Sequence, residues 1–218
     1  MTIRAIAAAA AGLLVLLAIA QIVLPRIAAS RISSKIGRYG HVEHVSVSAW
    51  PAVKLLWGHA DSVQVRAAHL ALSPAQAAAL LWEGRGLAKL DIAARSVSLG
   101  KLALTAATLE KDGAQLEGRA RTTQAAASAA LPPGIGVRLL SSAGGRVRVQ
   151  ASGGLFGLGA SLPVVAEAQE GALIAHPEGL LGGFKLTIFT DRHVRVIGVD
   201  ARPAGASAYA LRLTALLG

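Results

Sequence analysis

From Val42 almost to the C-terminus the chain alternates apolar and polar side chains with a period of two. Successive side chains of a strand point to opposite faces, so this pattern demands β-strands with one aliphatic face. "HVEHVSVSA" puts Val45, Val47 and Ala49 on one face. "DSVQVRA" puts Val63, Val65 and Ala67 together, with Gln64 and Arg66 opposite. "HLAL" resumes with Leu70 and Leu72 after one extra residue, which predicts a bulge near Ala67-Ala68. Leu90–Glu110 reads as one or two long strands, and Lys111-Asp112-Gly113 as a hairpin turn. Further strand segments follow, among them "GRVRVQAS", "LGASLPVVAEAQ", "GALIAHP", "FKLTIFT", "VRVIGVDA" and "ASAYALRLTALL". A sheet of this kind must cover its apolar face with its own curl, with helices or with a bound apolar ligand. A packed sandwich and a sheet around a cavity both satisfy the pattern. The helical material is rich in Ala, which fills little volume.

Two helices interrupt the strands. "SPAQAAALLWEG" has Ser73 as N-cap, Pro74 at the first helical position, Gln76 completing a capping box and Gly84 as the stop. "TTQAAASAALPPG" has Thr122 or Thr123 as cap and ends at Pro132-Pro133. A third, "PRIAASRISSKIGRYG", places Pro25 in its first turn and ends at Gly37 and Gly40. Its Ala28, Ile32 and Ile36 share one face, and Arg31, Lys35 and Arg38 take another. Such a helix lies on anionic lipid, or packs on the domain with a solvated basic edge. The expected fold is α+β. A strongly curved antiparallel β-sheet packs around or against two or three helices, after an N-terminal hydrophobic helix.

Ala5 to Leu24 carries no charge and one polar side chain, Gln21. As a helix it would span roughly 30 Å, one bilayer core. Residues 1–24 therefore read as a signal peptide, with Ala18-Ile19-Ala20 as cleavage site, or as a membrane anchor. Residues 25–218 read as one domain. Both readings export it to the cell envelope, on the periplasmic side of the cytoplasmic membrane, although the basic flank at Arg26 and Arg31 runs against the positive-inside rule.

Lys and Arg total 22 against 12 Asp and Glu, a net charge of +10. The excess suggests an anionic partner. The basic residues are spread singly along strands and are densest at Arg26, Arg31, Lys35 and Arg38. With no recognisable module or aromatic platform, nucleic acid is not the expected partner. There is no Cys, which excludes disulfides and thiolate metal sites. His41 and His44 form at best half a metal site on opposite faces of a strand, so no metal and no cofactor are expected. No G-x-S-x-G surrounds Ser161, and the Gly-rich "SGGLFGLGAS" has neither phosphate-loop spacing. The twelve acidic residues show no close pair suited to acid–base work. No catalytic residues are expected.

The stretch "VEHVSVSAWPAVKLLWGHADSVQV", after Leu24-Pro25 opening a helix, resembles the LmeA-type family of actinobacterial cell-envelope proteins. The resembling positions are Val45, Val47, Pro51, Leu55, Leu56, Gly58, Val63 and Val65. The resemblance implies non-catalytic phospholipid binding in a tubular lipid-binding-like fold, in support of envelope lipid and lipoglycan maintenance. Acyl chains would then lie against Val45, Val47, Leu55, Leu56, Val63, Val65, Leu70 and Leu72. Trp50, Pro51 and Trp57 would stand at the mouth or the membrane interface, and Arg26, Arg31, Lys35 and Arg38 at head groups or an anionic membrane surface. The rival reading is a membrane-anchored scaffold that recruits an envelope biosynthetic enzyme, with a filled core and an apolar surface patch. A third is a hydrolase that brings Ser161 to a His and an acid.

Two of the three Trp close the tripeptide Leu-Leu-Trp before a Gly and an alternating strand, at Trp57 and Trp82. The strands that follow echo each other as "RAAHLAL" and "AARSVSL", the trace expected of a duplicated helix–strand unit.

Overall fold

The computed structural model of the protein describes residues 20–57, 59–155, 158–179 and 183–218. Most of the expected leader or anchor lies outside the described residues. Among the described residues twelve strands form two sheets beside three α-helices. The large sheet has seven strands in the order β1-β2-β3-β4-β5-β12-β11. They are β1 (Gly40–Ser48), β2 (Ser62–Leu72), β3 (Lys89–Leu99), β4 (Leu102–Asp112), β5 (Gln115–Thr123), β11 (Val194–Pro203) and β12 (Ala208–Leu217). The small sheet has five, in the order β10-β9-β8-β7-β6. They are β6 (Ile135–Ala143), β7 (Arg146–Leu155), β8 (Leu158–Gln169), β9 (Ala172–Pro177) and β10 (Leu186–Phe189). The helices are α1 (residues 20–36), α2 (Pro74–Glu83) and α3 (Gln124–Ala129). The α+β class holds. The single sheet expected from the pattern is two sheets, and neither closes on itself.

The helix signals act as read. The Ser73 hydroxyl accepts from the Gln76 N–H while the Gln76 side chain accepts from the Ser73 N–H, and Gly84 caps the end of α2. Thr123 caps α3. Pro25 is not in a first turn, because the described helix runs from residue 20 and carries it in the interior.

One pair departs from the antiparallel expectation. Strands β2 and β3 are parallel neighbours, Val63 beside Leu90 and Leu72 beside Leu99. Parallel neighbours need a crossover, and α2 supplies it. The two Leu-Leu-Trp units therefore feed adjacent parallel strands. Their echo is the pairing register: Arg66 sits beside Ala93, Ala67 beside Ala94, His69 beside Ser96 and Leu70 beside Val97.

The expected bulge belongs to a line of irregular residues. Pairing skips Glu43 and Ala68 between β1 and β2, Ala68 and Arg95 between β2 and β3, and Arg95 and Ala106 between β3 and β4. Ala106 has φ +47°, and Arg95 pairs with Glu43 across the line. Because neighbouring strands are interrupted at one level, their apolar faces stay aligned on both sides of it. Bulges add local bend and twist, which curls this sheet.

The curl closes over helices. Val47, Ala60, Val63, Val65 and Leu90 form a buried cluster packed by Ala28, Ala29, Ile32 and Ile36 of α1. Ala78 of α2 is buried with Leu116, Val194, Ala215 and Leu217 from β5, β11 and β12. The apolar face read for α1 thus packs on the domain. The small sheet docks its hairpin ends on the outer strand β11. The Val196 N–H donates to Gly171 O at 2.8 Å. Ser142 Oγ donates to Asp200 Oδ1 and accepts from the Ala201 N–H. The Ser142 hydroxyl, with help from Arg202, holds the Asp200 carboxyl below its usual range.

Candidate functional site

The aliphatic face named from sequence is part of the core. Val47, Val63, Val65 and Leu70 are buried, while Val45, Leu55 and Leu72 are half-buried and pack on the same clusters. Ala28, Ala29, Ile32 and Ile36 of α1 pack against this face. Arg26, Arg31 and Lys35 of α1 are exposed, as is Arg38 in the 3-10 turn Gly37–Tyr39 that follows it. Lys35 pairs with Glu83 of α2.

Trp50, Pro51, Leu56 and Trp57 gather at one end. Trp50–Pro51 is a cis peptide, and a 3-10 turn runs Ala52–Trp57. Trp50, Leu56 and Trp57 are each about two-thirds exposed or more. The turn is held by Trp50 N–H donating to Asp61 at 2.6 Å and by Lys54 paired with Asp61 at 3.6 Å. Gln21 clasps the same segment, donating to Ala49 O at 3.0 Å and accepting from the Ala52 N–H at 2.8 Å.

The small sheet holds a surface that the sequence reading passed over. Cross-strand partners share a face, and the register aligns Val137, Leu139, Val149, Ala151, Leu162, Val164, Ala166, Ala175 and Pro177. These are half-buried, Val147 beside Ala166 on the same face is buried, and none of them joins the three buried clusters among the described residues. The other face carries Arg146–Glu167 at 2.6 Å, His176–Glu167 at 3.3 Å and Arg148–Glu178, together with the buried Val165 and Ile174. At the β10 side an open groove of about 260 Å³ is lined by Leu162, Val164, Ala175, Pro177, Phe184 and Leu186, with His176 and Lys185. Phe184, Leu186 and Ile188 are exposed. The alternation in "LGASLPVVAEAQ" carried this signal, but it does not say which faces remain uncovered.

A second open concavity, about 490 Å³, is lined by Gly134, Gly136, Ser152, Gly153, Gly159, Ala160 and Ser161. Ser161 accepts from the Gln150 side chain at 3.2 Å. No His or acid lines that hollow among the described residues. His41 lies across from His69, which contacts Ser96 at 3.0 Å. No group of three potential metal ligands forms among the described residues. The third Trp is half-buried. Trp82 stacks on His193 with centroids 3.8 Å apart, and the Arg85 guanidinium lies 4.4 Å over its ring.

Lys111 is a further residue that the alternation does not flag. It is buried between Leu90 and Leu116, and its ammonium donates to the carbonyls of Arg85 and Leu87. Burial lowers its pKa, against the pull of Asp112. The unfolded chain then holds more protons between the lowered value and the ordinary 10.5, so stability rises as pH climbs through that window. Urea unfolding across a neutral-to-alkaline series should show this rise in the native protein and not in Lys111→Met. Parallel curves for the two would refute it.

Comparison with known proteins finds no match: no family model fits the chain, and no curated protein or solved structure is similar to it. No described helix is long and apolar enough to cross a membrane.

Proposed function

We propose that this chain is a non-catalytic phospholipid-binding protein of the cell envelope, holding acyl chains against the aliphatic face of the small sheet. The observation that carries this reading is that face itself. It is a continuous set of aliphatic side chains on four strands, left half-open, with Phe184 and Leu186 forming one wall of a groove. Contiguous apolar surface left partly open to solvent serves as a binding surface. Each methylene laid on it contributes about 0.8 kcal/mol. Lys185 at the groove supplies a cation for a phosphate. The likeness of Val45–Val65 to the LmeA-type family supports the same reading, with the chain-binding surface moved from the α1-filled face to the small sheet. The proposed site is then a half-open trough, since its groove is open.

Native mass spectrometry of protein purified without detergent tests this. The expected result is a population carrying phospholipid mass, displaceable by a fluorescent acyl probe. Protein that carries no lipid and binds no probe would end the proposal.

The scaffold reading keeps one observation of its own. Strand β10 ends the small sheet with Leu186 and Ile188 exposed beside Phe184. An apolar edge strand pairs readily with a strand of another chain. A lipid-free protein that binds an envelope enzyme through β10 would favour it.

A further inference from the structure

The outward face of α1 changes character along its length. Ile22, Val23 and Ile27 are exposed. Beyond them the exposed positions of α1 are Ser30, Arg31, Ser34 and Lys35, and Arg38 follows in the 3-10 turn after it. Arg26 shares the apolar end, and its long stem lets the guanidinium reach toward the basic turns. From Ile22 to Arg31 the helix rises about 14 Å, so the change from apolar to basic happens within a few turns. A helix facing water along its whole length has no reason to expose three β-branched side chains at one end only.

The rest of that end is also apolar. Gln21 bonds to Ala49 and Ala52, which sets Trp50 and the Ala52–Trp57 turn at the level of the first described turn of α1. Trp50, Leu56 and Trp57, exposed by 73%, 67% and 69%, therefore flank Ile22 and Val23. The chain leaves through this end: Ala5 to Ile19, immediately before it, has no charged or polar side chain. Indole rings with branched aliphatics, followed by a collar of Arg and Lys, match the layering of a bilayer interface, where Trp sits at head-group depth and cations meet phosphates.

We infer that this end of the domain seats in the interfacial layer of a phospholipid bilayer, with Trp50 and Trp57 at ester depth and Arg26 and Arg31 at the phosphates. The bilayer is the occupant because the uncharged N-terminal segment continues from this very surface and the collar is cationic. Seating fixes the domain's orientation, with α1 steeply inclined to the membrane and the small sheet's trough held at a set height. The inference stands apart from the acyl-chain reading, which concerns the other sheet.

The test uses the full chain in vesicles of equal parts phosphatidylcholine and phosphatidylglycerol, doped with lipid bearing a nitroxide near the glycerol end of one acyl chain. Trp57→Phe/Trp82→Phe and Trp50→Phe/Trp82→Phe leave Trp50 or Trp57 alone, and Trp50→Phe/Trp57→Phe leaves Trp82. The expected result is that Trp50 and Trp57 each lose most of their emission to the nitroxide and resist aqueous iodide, while Trp82 keeps its emission with the nitroxide. If Trp82→Phe disturbs folding, the native protein against Trp50→Phe/Trp57→Phe gives the same reading, since the quenched fraction must vanish in the double variant. Trp50 and Trp57 emission that survives the nitroxide as well as that of Trp82 would overturn the inference. Quenching in a protein with no lipid cargo would keep this inference and remove the acyl-chain one.

Discussion

Val65→Asp leaves no cooperatively folded protein. Val65 is 1% exposed, beside Val63 and Leu90 and under the apolar side of α1. A carboxylate there has no cation or donor within the cluster, and an unpaired buried charge costs several kcal/mol, comparable with the whole stability of a domain. Val65→Ala is the milder form. It removes two methyl groups from a packed site, at about 2 kcal/mol, and should leave the lipid content of the purified protein unchanged. Denaturant unfolding with native mass spectrometry on the same samples checks both. The opposite pattern, unchanged stability with lost lipid, would mean that this face meets ligand in place of α1.

Val164→Asp together with Leu162→Asp should behave in the converse way. Both side chains line the groove of the small sheet, and both are half-buried outside the three buried clusters. A carboxylate here stays solvated at little cost to the fold, but it removes the apolar floor and repels a phosphate. The expected result is loss of the lipid-bound population with only a small change in the unfolding midpoint. Unchanged lipid in the double variant would exclude this surface as the chain-binding site. A collapse of the midpoint would show that the face is core, covered in solution, and would also sink the proposal.

Much of the fold was legible because it is local. Ser73, Gln76 and Gly84 bound α2, since capping is settled within one turn of helix. The extra residue before "HLAL" marked Ala68 as a bulge, since a break in period two needs no distant partner to be seen. The echo of "RAAHLAL" and "AARSVSL" held more than it first offered, for it is the register of β2 against β3. The parallel sense of that pair was not legible, because direction depends on where α2 carries the chain. The aliphatic positions Val45, Val47, Val63 and Val65 share one face as the alternation predicts, and helix α1 packs against it. Leu162 and Val164 show the same alternation and were given no role, although the structure leaves theirs the open face. Gln21, the one polar residue in a long apolar run, had its reason in Ala49 and Ala52, reached only when the chain returns to that end.

The alternation by itself determined that this protein is built of strands with one aliphatic side, and the Trp, Pro and Gly placements determined where several of them begin. Which aliphatic side is closed and which stays open was decided only in three dimensions. Covering a sheet depends on helices that arrive from distant sequence, and α1 and α2 both settle in the curl of the large sheet. Helix α3 meets the small sheet at its end strand β6, where the Ser128 hydroxyl accepts from the Val137 N–H at 3.0 Å. Periodicity states the demand for cover, and only the tertiary arrangement determines where that demand is met.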